Sequence, residues 1–583
     1  MTSRWAAVAG PLAGRPRGPL GIAAVALALV TAAYTAWSVG SVTGWVLAIV
    51  LPVLVLRFPV AGMATVAIVA QEIATSGTFG VLTLLGNEIF FSHGKVPVLL
   101  LVAATAACAA LARSWPLTGL RPRFTDWMLF GSVAGLVLLA AGIGLIQGQS
   151  PFSALNQNAR SFVLLALGCV LGAALRFLPG ERASLRNLAG WALVGLAAAA
   201  AVAIPLGESA DDRISRYFVY YDSALPAIAA AVFIAMLGAA GSRWGALEIA
   251  LLVTLPFLVL ISFRRSVWLA AALVFLLVLV VTRSRWARLS ARTGIAVAAT
   301  AVIVFGAPGF AADLGERSGV TALLSSGTPA ATPPAQPQPT VSMVQPSVPA
   351  AATTAPVSAP ATHPASAGPR PAPTVDKGQP QADSDRGHVG DLRLGWQYVR
   401  DNFWTGVGAV SPQLKGLAAD GATRVYVHNE VLQIWLRYGP LGPLLLVLFF
   451  LAAGLKALAA LRDRDSDVTV RSAAVFVLIC PPCMMTAPFL SETSRWPLAI
   501  GIAAGMLALT GPLRGRSTGS DREIAVTAPV LRSSADSGAP ADATVEFPRP
   551  AFPRPDDATV EFPRPRIPYP DPDRTESFYV PRT

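Results

Sequence analysis

Leu444-Leu-Leu-Val-Leu-Phe-Phe-Leu-Ala-Ala-Gly-Leu-Lys456-Ala-Leu-Ala-Ala-Leu461 is an apolar run broken by a single charge near its far end. As a helix it reaches about 27 Å at 1.5 Å per residue, close to the hydrocarbon thickness of a bilayer. Directly before it, Pro440-Leu-Gly-Pro443 interrupts the pattern. Before that stands His428-Asn-Glu-Val-Leu-Gln-Ile-Trp-Leu-Arg-Tyr-Gly439, where Leu432, Trp435 and Leu436 recur at i, i+3, i+4. A polar, titratable head therefore sits at the mouth of a membrane span. Two readings fit it: an interfacial helix whose His and Asn only cap its first turn, or a reactive histidine presented at the membrane surface.

Runs of this kind recur along the whole chain. About fourteen are near the length needed to cross a bilayer: 19–38, 41–56, 59–76, 95–112, 126–146, 161–178, 188–206, 222–241, 246–262, 266–282, 294–311, 440–461, 471–489 and 496–512. With 54% hydrophobic and 13% charged residues over 583, the composition excludes a soluble protein. The net charge of +12 does not indicate nucleic acid, because the arginines cluster in short turns between apolar runs, as topology signals do. With a cytoplasmic N-terminus, Arg57, Arg113, Arg121, Arg123, Arg176, Arg182, Arg186, Arg243, Arg283, Arg462 and Arg514 all fall inside. The expected fold is thus all-α, a polytopic helical membrane protein of about 12–14 transmembrane helices. It carries one large extracytoplasmic loop with short helices, and both termini are cytoplasmic. The first run follows Arg4, Arg15 and Arg17 as in a signal peptide, but the many later spans make it an uncleaved first helix. Cys108, Cys169, Cys480 and Cys483 all lie in apolar runs, and Cys480-Pro-Pro-Cys483 reads as small buried residues at a kink rather than a redox or metal pair.

Four regions follow: an N-terminal bundle over 1–310, an extracytoplasmic loop over 311–439, C-terminal spans over 440–512 and a tail over 513–583. Within the loop, 325–380 is rich in Pro, Ala, Ser and Thr with no apolar period, and reads as disordered. Residues 386–439 read as ordered, with helical spacing at Leu392, Trp396, Val399 and Phe403 ending in Gly406-Val-Gly408. That glycine turn either caps the helix or brings backbone amides to a ligand. The tail is Pro-rich, polar and cytoplasmic, and repeats Asp542-Ala-Thr-Val-Glu-Phe-Pro-Arg-Pro550 at Asp557–Pro565. The repeat is either a drifting duplication or a phosphorylatable motif for a domain that reads phosphopeptides or Pro-rich segments.

Function is sought where the charge rule fails. Arg160, Arg213 and Arg216 fall on the outer side, as does Ser262-Phe-Arg264-Arg265-Ser266, two adjacent guanidinium groups between apolar runs. Such cations snorkel to lipid phosphates, or they form an anion clamp, since a planar fork of five donors matches phosphate oxygens bidentately. Mid-membrane ionisable residues of the kind a transporter needs are few, with Glu72 and Glu248 the main exceptions.

Taken together these motifs resemble the bacterial O-antigen ligase and O-antigen polymerase family of polytopic membrane glycosyltransferases. The resemblance covers roughly Arg216 to Leu509 and rests on four places: Arg216-Tyr-Phe-Val-Tyr-Tyr-Asp-Ser-Ala-Leu-Pro226, Ser262–Ser266, the Trp396 helix ending in Thr405-Gly-Val-Gly408, and His428-Asn429-x-x-Leu432 followed by Gly439-Pro-Leu-Gly442. Two departures stand out. Arg437 occupies a position that is usually acidic in the family, and Arg393 is one position off the usual spacing of the loop arginine, with Arg386 and Arg400 as alternatives.

The resemblance implies an enzyme in the bacterial cytoplasmic membrane that takes a glycan from a polyprenyl (undecaprenyl) pyrophosphate donor. The glycan goes to an acceptor hydroxyl on a glycan or lipid, with inversion and with no metal or other cofactor. His428 suits the base, being largely neutral yet basic at neutral pH, and Asn429 would orient it or the sugar. Arg264 and Arg265 suit the departing pyrophosphate, with Arg393, Arg400 and Arg216 as further phosphate contacts and Arg160 a weaker one. A ligase is the first expectation and a polymerase of lipid-linked repeats the second. A non-enzymatic transporter or flippase of lipid-linked glycan is the third.

Overall fold

The computed structural model describes residues 18–39, 42–70, 96–114, 122–210, 215–220, 223–238, 245–282, most of 293–318, 380–408, 427–463, 466–492 and 495–508. The chain divides into units 1–512 and 513–583, and everything described belongs to the first. The Pro-rich segment 325–380, Arg213, Glu72, the Arg386 side chain and the tail with its repeat lie outside the described residues.

The described elements are all helical. In chain order they are α1 (Pro19–Val39), α2 (Val42–Arg57), α3 (Pro59–Val69), α4 (Val98–Ser114), α5 (Phe124–Ile146), α6 (Arg160–Ala174), α7 (Pro179–Ala203), α8 (Ala224–Leu237), α9 (Ala246–Leu260) and α10 (Arg265–Val281). They continue with α11 (Phe310–Ser318), α12 (Pro380–Asp401), α13 (Glu430–Tyr438), α14 (Leu441–Arg462), α15 (Val468–Met484), α16 (Phe489–Glu492) and α17 (Arg495–Leu507). Among the described residues, five helical stretches are long and apolar enough to cross a membrane, and eight apolar helices are shorter. This is a multi-pass helical membrane protein.

Most spans fall within a few residues of the apolar runs; α7 does not. It begins at Pro179, nine residues before the expected 188. Pro179 supplies the helical φ and Glu181 an acid at the first turn, so the helix starts in polar sequence that hydropathy alone reads as a loop. Arg182 and Arg186 are therefore helical.

Small residues set the closest packing. Gly168 and Gly172 of α6 face Gly501 and Gly505 of α17, and a Cβ on any of the four would strike the opposing backbone. Only glycine allows this approach, as in the small-x-x-x-small seams of membrane helices. Around the seam one large core joins α2–α6, α8, α10, α14, α15 and α17, and a second gathers α7–α9 with residues 217–220, Phe263 and Phe310.

The bundle has two ends, defined by α15. Its last residues meet the His428 segment. Its first turn lies where Arg471 donates to the Gly238 carbonyl at 3.0 Å and the Asp463 carbonyl at 3.1 Å. Near that far end Lys456 Nζ lies 2.6 Å from Asp126 Oδ1, both side chains buried, and Arg113 lies 3.9 Å from Glu181. A lysine this deep is tolerable because a carboxylate meets it.

Candidate functional site

The site is built on the start of α13. Asn429 is its N-cap, with Oδ1 accepting the Leu432 N–H at 3.0 Å. Its other end, Nδ2, donates to the Met485 carbonyl at 3.1 Å, just past the end of α15. Both ends of the amide hold structure, so Asn429 acts on its neighbour His428 by fixing the backbone. His428 itself is half-buried. Next along, Glu430 is fully buried, and its Oε2 accepts the Leu490 N–H at 2.7 Å. The histidine is thus pinned on one side by the end of α15 and on the other by α16.

The arginine pair reaches the same place by another route. Residues 262–264 form a tight corner before α10: Ser262 Oγ donates to the Val259 carbonyl at 2.6 Å and accepts the Arg264 N–H at 3.3 Å, while Trp268 Nε1 donates to the same carbonyl at 2.8 Å. Phe263, at φ 47°, is the only described non-glycine residue with positive φ. Its ring is 1% exposed and packs on Phe310 and Trp268. That burial offsets the strain of the left-handed backbone and sends Arg264 and Arg265 off the corner together. Cys483 Sγ then lies 3.8 Å from the Ser266 carbonyl. Cys483 in the last turn of α15 and Met485, its C-cap, therefore contact the start of α10 and the cap of α13 respectively.

Arg264 and Arg216 are held by aromatic faces. The Arg264 guanidinium lies 5.4 Å from the Phe218 ring centre and that of Arg216 4.8 Å from Tyr217, whose hydroxyl accepts from Arg216 at 2.6 Å. Tyr217 packs on Phe310, and Phe310 on Phe263, so the two arginines share one aromatic frame. In the same segment, burial pushes the Tyr220 phenol up from its ordinary value, keeping it a donor to the Leu196 carbonyl. Arg265 Nε is buried and has no hydrogen-bond partner among the described residues. A buried donor left so costs about 1–3 kcal/mol, a cost that Arg113 Nε at the far end of the bundle bears as well.

Arg393 and Arg400 stand elsewhere, both exposed on α12. That helix packs its other side, Leu392, Gly395 and Val399, against Val427 and α13. Among the described residues no hydrogen bond or ion pair joins them to Arg264 or Arg265. Arg160 is half-buried at the start of α6, after a π-turn over Ala154–Ala159.

The glycine turn does not present amides to a ligand. Val407 and Gly408 donate their N–H groups to the Leu436 and Arg437 carbonyls, both at 2.8 Å. Helix ends leave carbonyls without partners, and the loop satisfies those of α13. Gly406 at φ 65° has no room for a Cβ, which would lie 2.5 Å from the Arg437 carbonyl oxygen.

Three buried polar residues escaped the sequence reading: Glu430, Gln433 and Arg437, at 0%, 0% and 3% exposure. Their i, i+3, i+7 spacing puts them on one face of α13, which looks like a solvated face opposite Leu432 and Leu436. Both faces are in fact covered, one by α12 and the other by the bundle, where the Tyr438 hydroxyl donates to the Asn158 carbonyl at 2.8 Å.

A multi-pass helical protein with arginines and a histidine gathered at one bundle end is the class these elements define. Within it, residues 249–450 are similar to a family model described as O-antigen ligase. The matched segment begins in α9 and ends in α14, so it contains Arg264, Arg265 and His428 but neither Arg216 nor the end of α15. The likeness supports a ligase- or polymerase-like function in general. No curated protein matches the chain.

Proposed function

We propose that the chain is a glycosyltransferase of the ligase type, moving a glycan from a polyprenyl pyrophosphate carrier to an acceptor hydroxyl at the outer face of the cytoplasmic membrane. The observation that carries this is the shared anchor: the Arg265–Ser266 corner and the His428–Asn429 cap both rest on the last turn of α15, and Arg265 offers a buried Nε beside it. In this reading His428 takes the proton of the acceptor hydroxyl, whose oxygen attacks the anomeric carbon. The bond from that carbon to the pyrophosphate oxygen breaks on the opposite side. A single displacement inverts the anomeric centre and needs no metal, because Arg264 and Arg265 receive the charge that develops on the leaving group. Arg216 adds to the clamp through the aromatic frame. Arg393 and Arg400, on the exposed face of α12, act on donor phosphate only at the approach to the site. The 311–439 segment lies outside the cell and both termini inside, in agreement with the arginine-rich turns. The tail takes no part in the chemistry.

The test is glycan transfer in reconstituted vesicles with a polyprenyl pyrophosphate-linked glycan on the outer leaflet. Wild type is compared with His428→Ala and Arg265→Ala at matched yield and melting temperature. Product lost in both, with donor still bound by His428→Ala, supports the assignment. Undiminished transfer by His428→Ala removes it and leaves His428 a residue beside a helix cap. Product that remains on polyprenyl carrier identifies the polymerase.

A further inference from the structure

At the far end of the bundle, away from His428, a cavity of about 340 Å³ opens between α3, α7, α8, α9, α15 and α17. Its walls are almost wholly Ala, Leu, Ile, Val and Phe, and its polar groups are Arg186, Glu248, Thr469 and Ser472. All four belong to the opening turns of α7, α9 and α15, or lie just inside them, so the polarity forms a rim at one end. From Thr469 to Phe476 along α15 the cavity runs about 10 Å inward. There Phe476 stacks on Trp496 at 5.7 Å and Trp496 on Phe489 at 4.5 Å, between the cavity and α16. The space is therefore an apolar socket with its polar groups at one end.

The mouth carries charges of both signs that do not neutralise each other. Arg186 is exposed, and among the described residues it makes no ion pair, whereas Arg182 one turn earlier lies 3.7 Å from Asp467. Glu248 folds over the first turn of its own helix, its Oε2 2.7 Å from where a Cβ on Gly245 would stand. The two charges line the same cavity from neighbouring helices, since Gly190, one turn after Arg186, packs on Leu247, the residue before Glu248. A cation and an anion on the rim of one apolar cavity complement a headgroup that is itself a phosphate joined to an ammonium.

We propose that this socket binds one phospholipid from the leaflet opposite the transfer site. The lipid is of the phosphoethanolamine class, with one acyl chain in the cavity, its phosphate on Arg186 and its ammonium at Glu248. In a bilayer the chain gains no hydrophobic free energy on entry, since lipid is already apolar. What favours occupancy is packing, because an empty apolar void forfeits the contacts of its walls and takes up apolar molecules readily. The headgroup contacts supply the selectivity.

Native mass spectrometry of the full-length protein, delipidated in detergent and titrated with defined lipids, tests this independently of any glycan assay. Phosphatidylethanolamine is expected to bind saturably at one per chain. Arg186→Ala should weaken it about tenfold, the worth of one lost charge-assisted contact. Glu248→Gln should weaken phosphatidylethanolamine but not phosphatidylglycerol, and Ala64→Phe, which fills the cavity, should remove the bound lipid while melting temperature and elution volume stay put. Equal binding of the two lipids by wild type, or binding indifferent to Arg186→Ala and Ala64→Phe, overturns the proposal. So does preferential uptake of polyprenyl phosphate, which would make the socket an isoprenoid site.

Discussion

The two ends of the bundle use arginine in opposite ways. At the far end Arg113 donates to the Arg57 and Leu56 carbonyls, and Arg471 to those of Gly238 and Asp463. There the in-plane N–H groups, the part of a guanidinium that recognises anions, are engaged in holding helices together. At the near end Arg264 and Arg216 lie over Phe218 and Tyr217. Stacking grips an arginine by its face, and Arg216 also donates from its edge to the Tyr217 hydroxyl. The same residue type is thus held by backbone carbonyls at one end and against aromatic rings at the other.

That contrast can be broken by substitution, beginning with the largest effect. His428→Ala should lower transfer on the order of 10³-fold without lowering the melting temperature, the loss typical of a general base; vesicle kinetics beside thermal denaturation separate the two. Asp126→Asn at the far end should do the reverse. It leaves Lys456 buried without its carboxylate and costs about 3 kcal/mol of stability, read as a lower melting point with near-normal transfer in the surviving fraction. Removing both partners, as Asp126→Leu with Lys456→Met, should restore much of that loss. Arg265→Ala is expected to reduce transfer about 10²-fold, mostly in kcat. Arg471→Ala, by contrast, should cost stability and leave kcat unchanged, and equal behaviour of the two arginines would erase the distinction between ends. Asn429→Ala, the mildest, should cost about 1 kcal/mol as a lost cap, with Asn429→Asp retaining the cap to Leu432 but losing the Met485 contact.

How far the sequence could be read depended on whether the decisive interactions are local. The spans were legible because a hydrocarbon slab imposes one length and one composition on every crossing. The exception, α7, failed where the helix projects past the slab and polar residues continue it. The His428 helix was legible from its apolar period and its capping Asn429. What Val407 and Gly408 do was not, because their partners are the Leu436 and Arg437 carbonyls across an intervening segment. Nor was the burial of Glu430, Gln433 and Arg437: periodicity shows that a helix has two faces, not that both are covered. The meeting of the Ser266 corner and the Asn429 cap on α15 lies furthest from sequence reasoning, since neither motif contains the helix that joins them.

The glycine seam between α6 and α17 has a consequence in time. Between the end of α6 at Ala174 and the start of α17 at Arg495 the ribosome adds on the order of 300 residues, roughly 15–60 s of synthesis at 5–20 residues per second. Through that interval Gly168 and Gly172 wait in the membrane for a partner not yet made. The α16 residues that clasp Glu430 arrive only just before the partner helix. An incompletely synthesised chain therefore holds both arginines and the histidine but not the frame that fixes them.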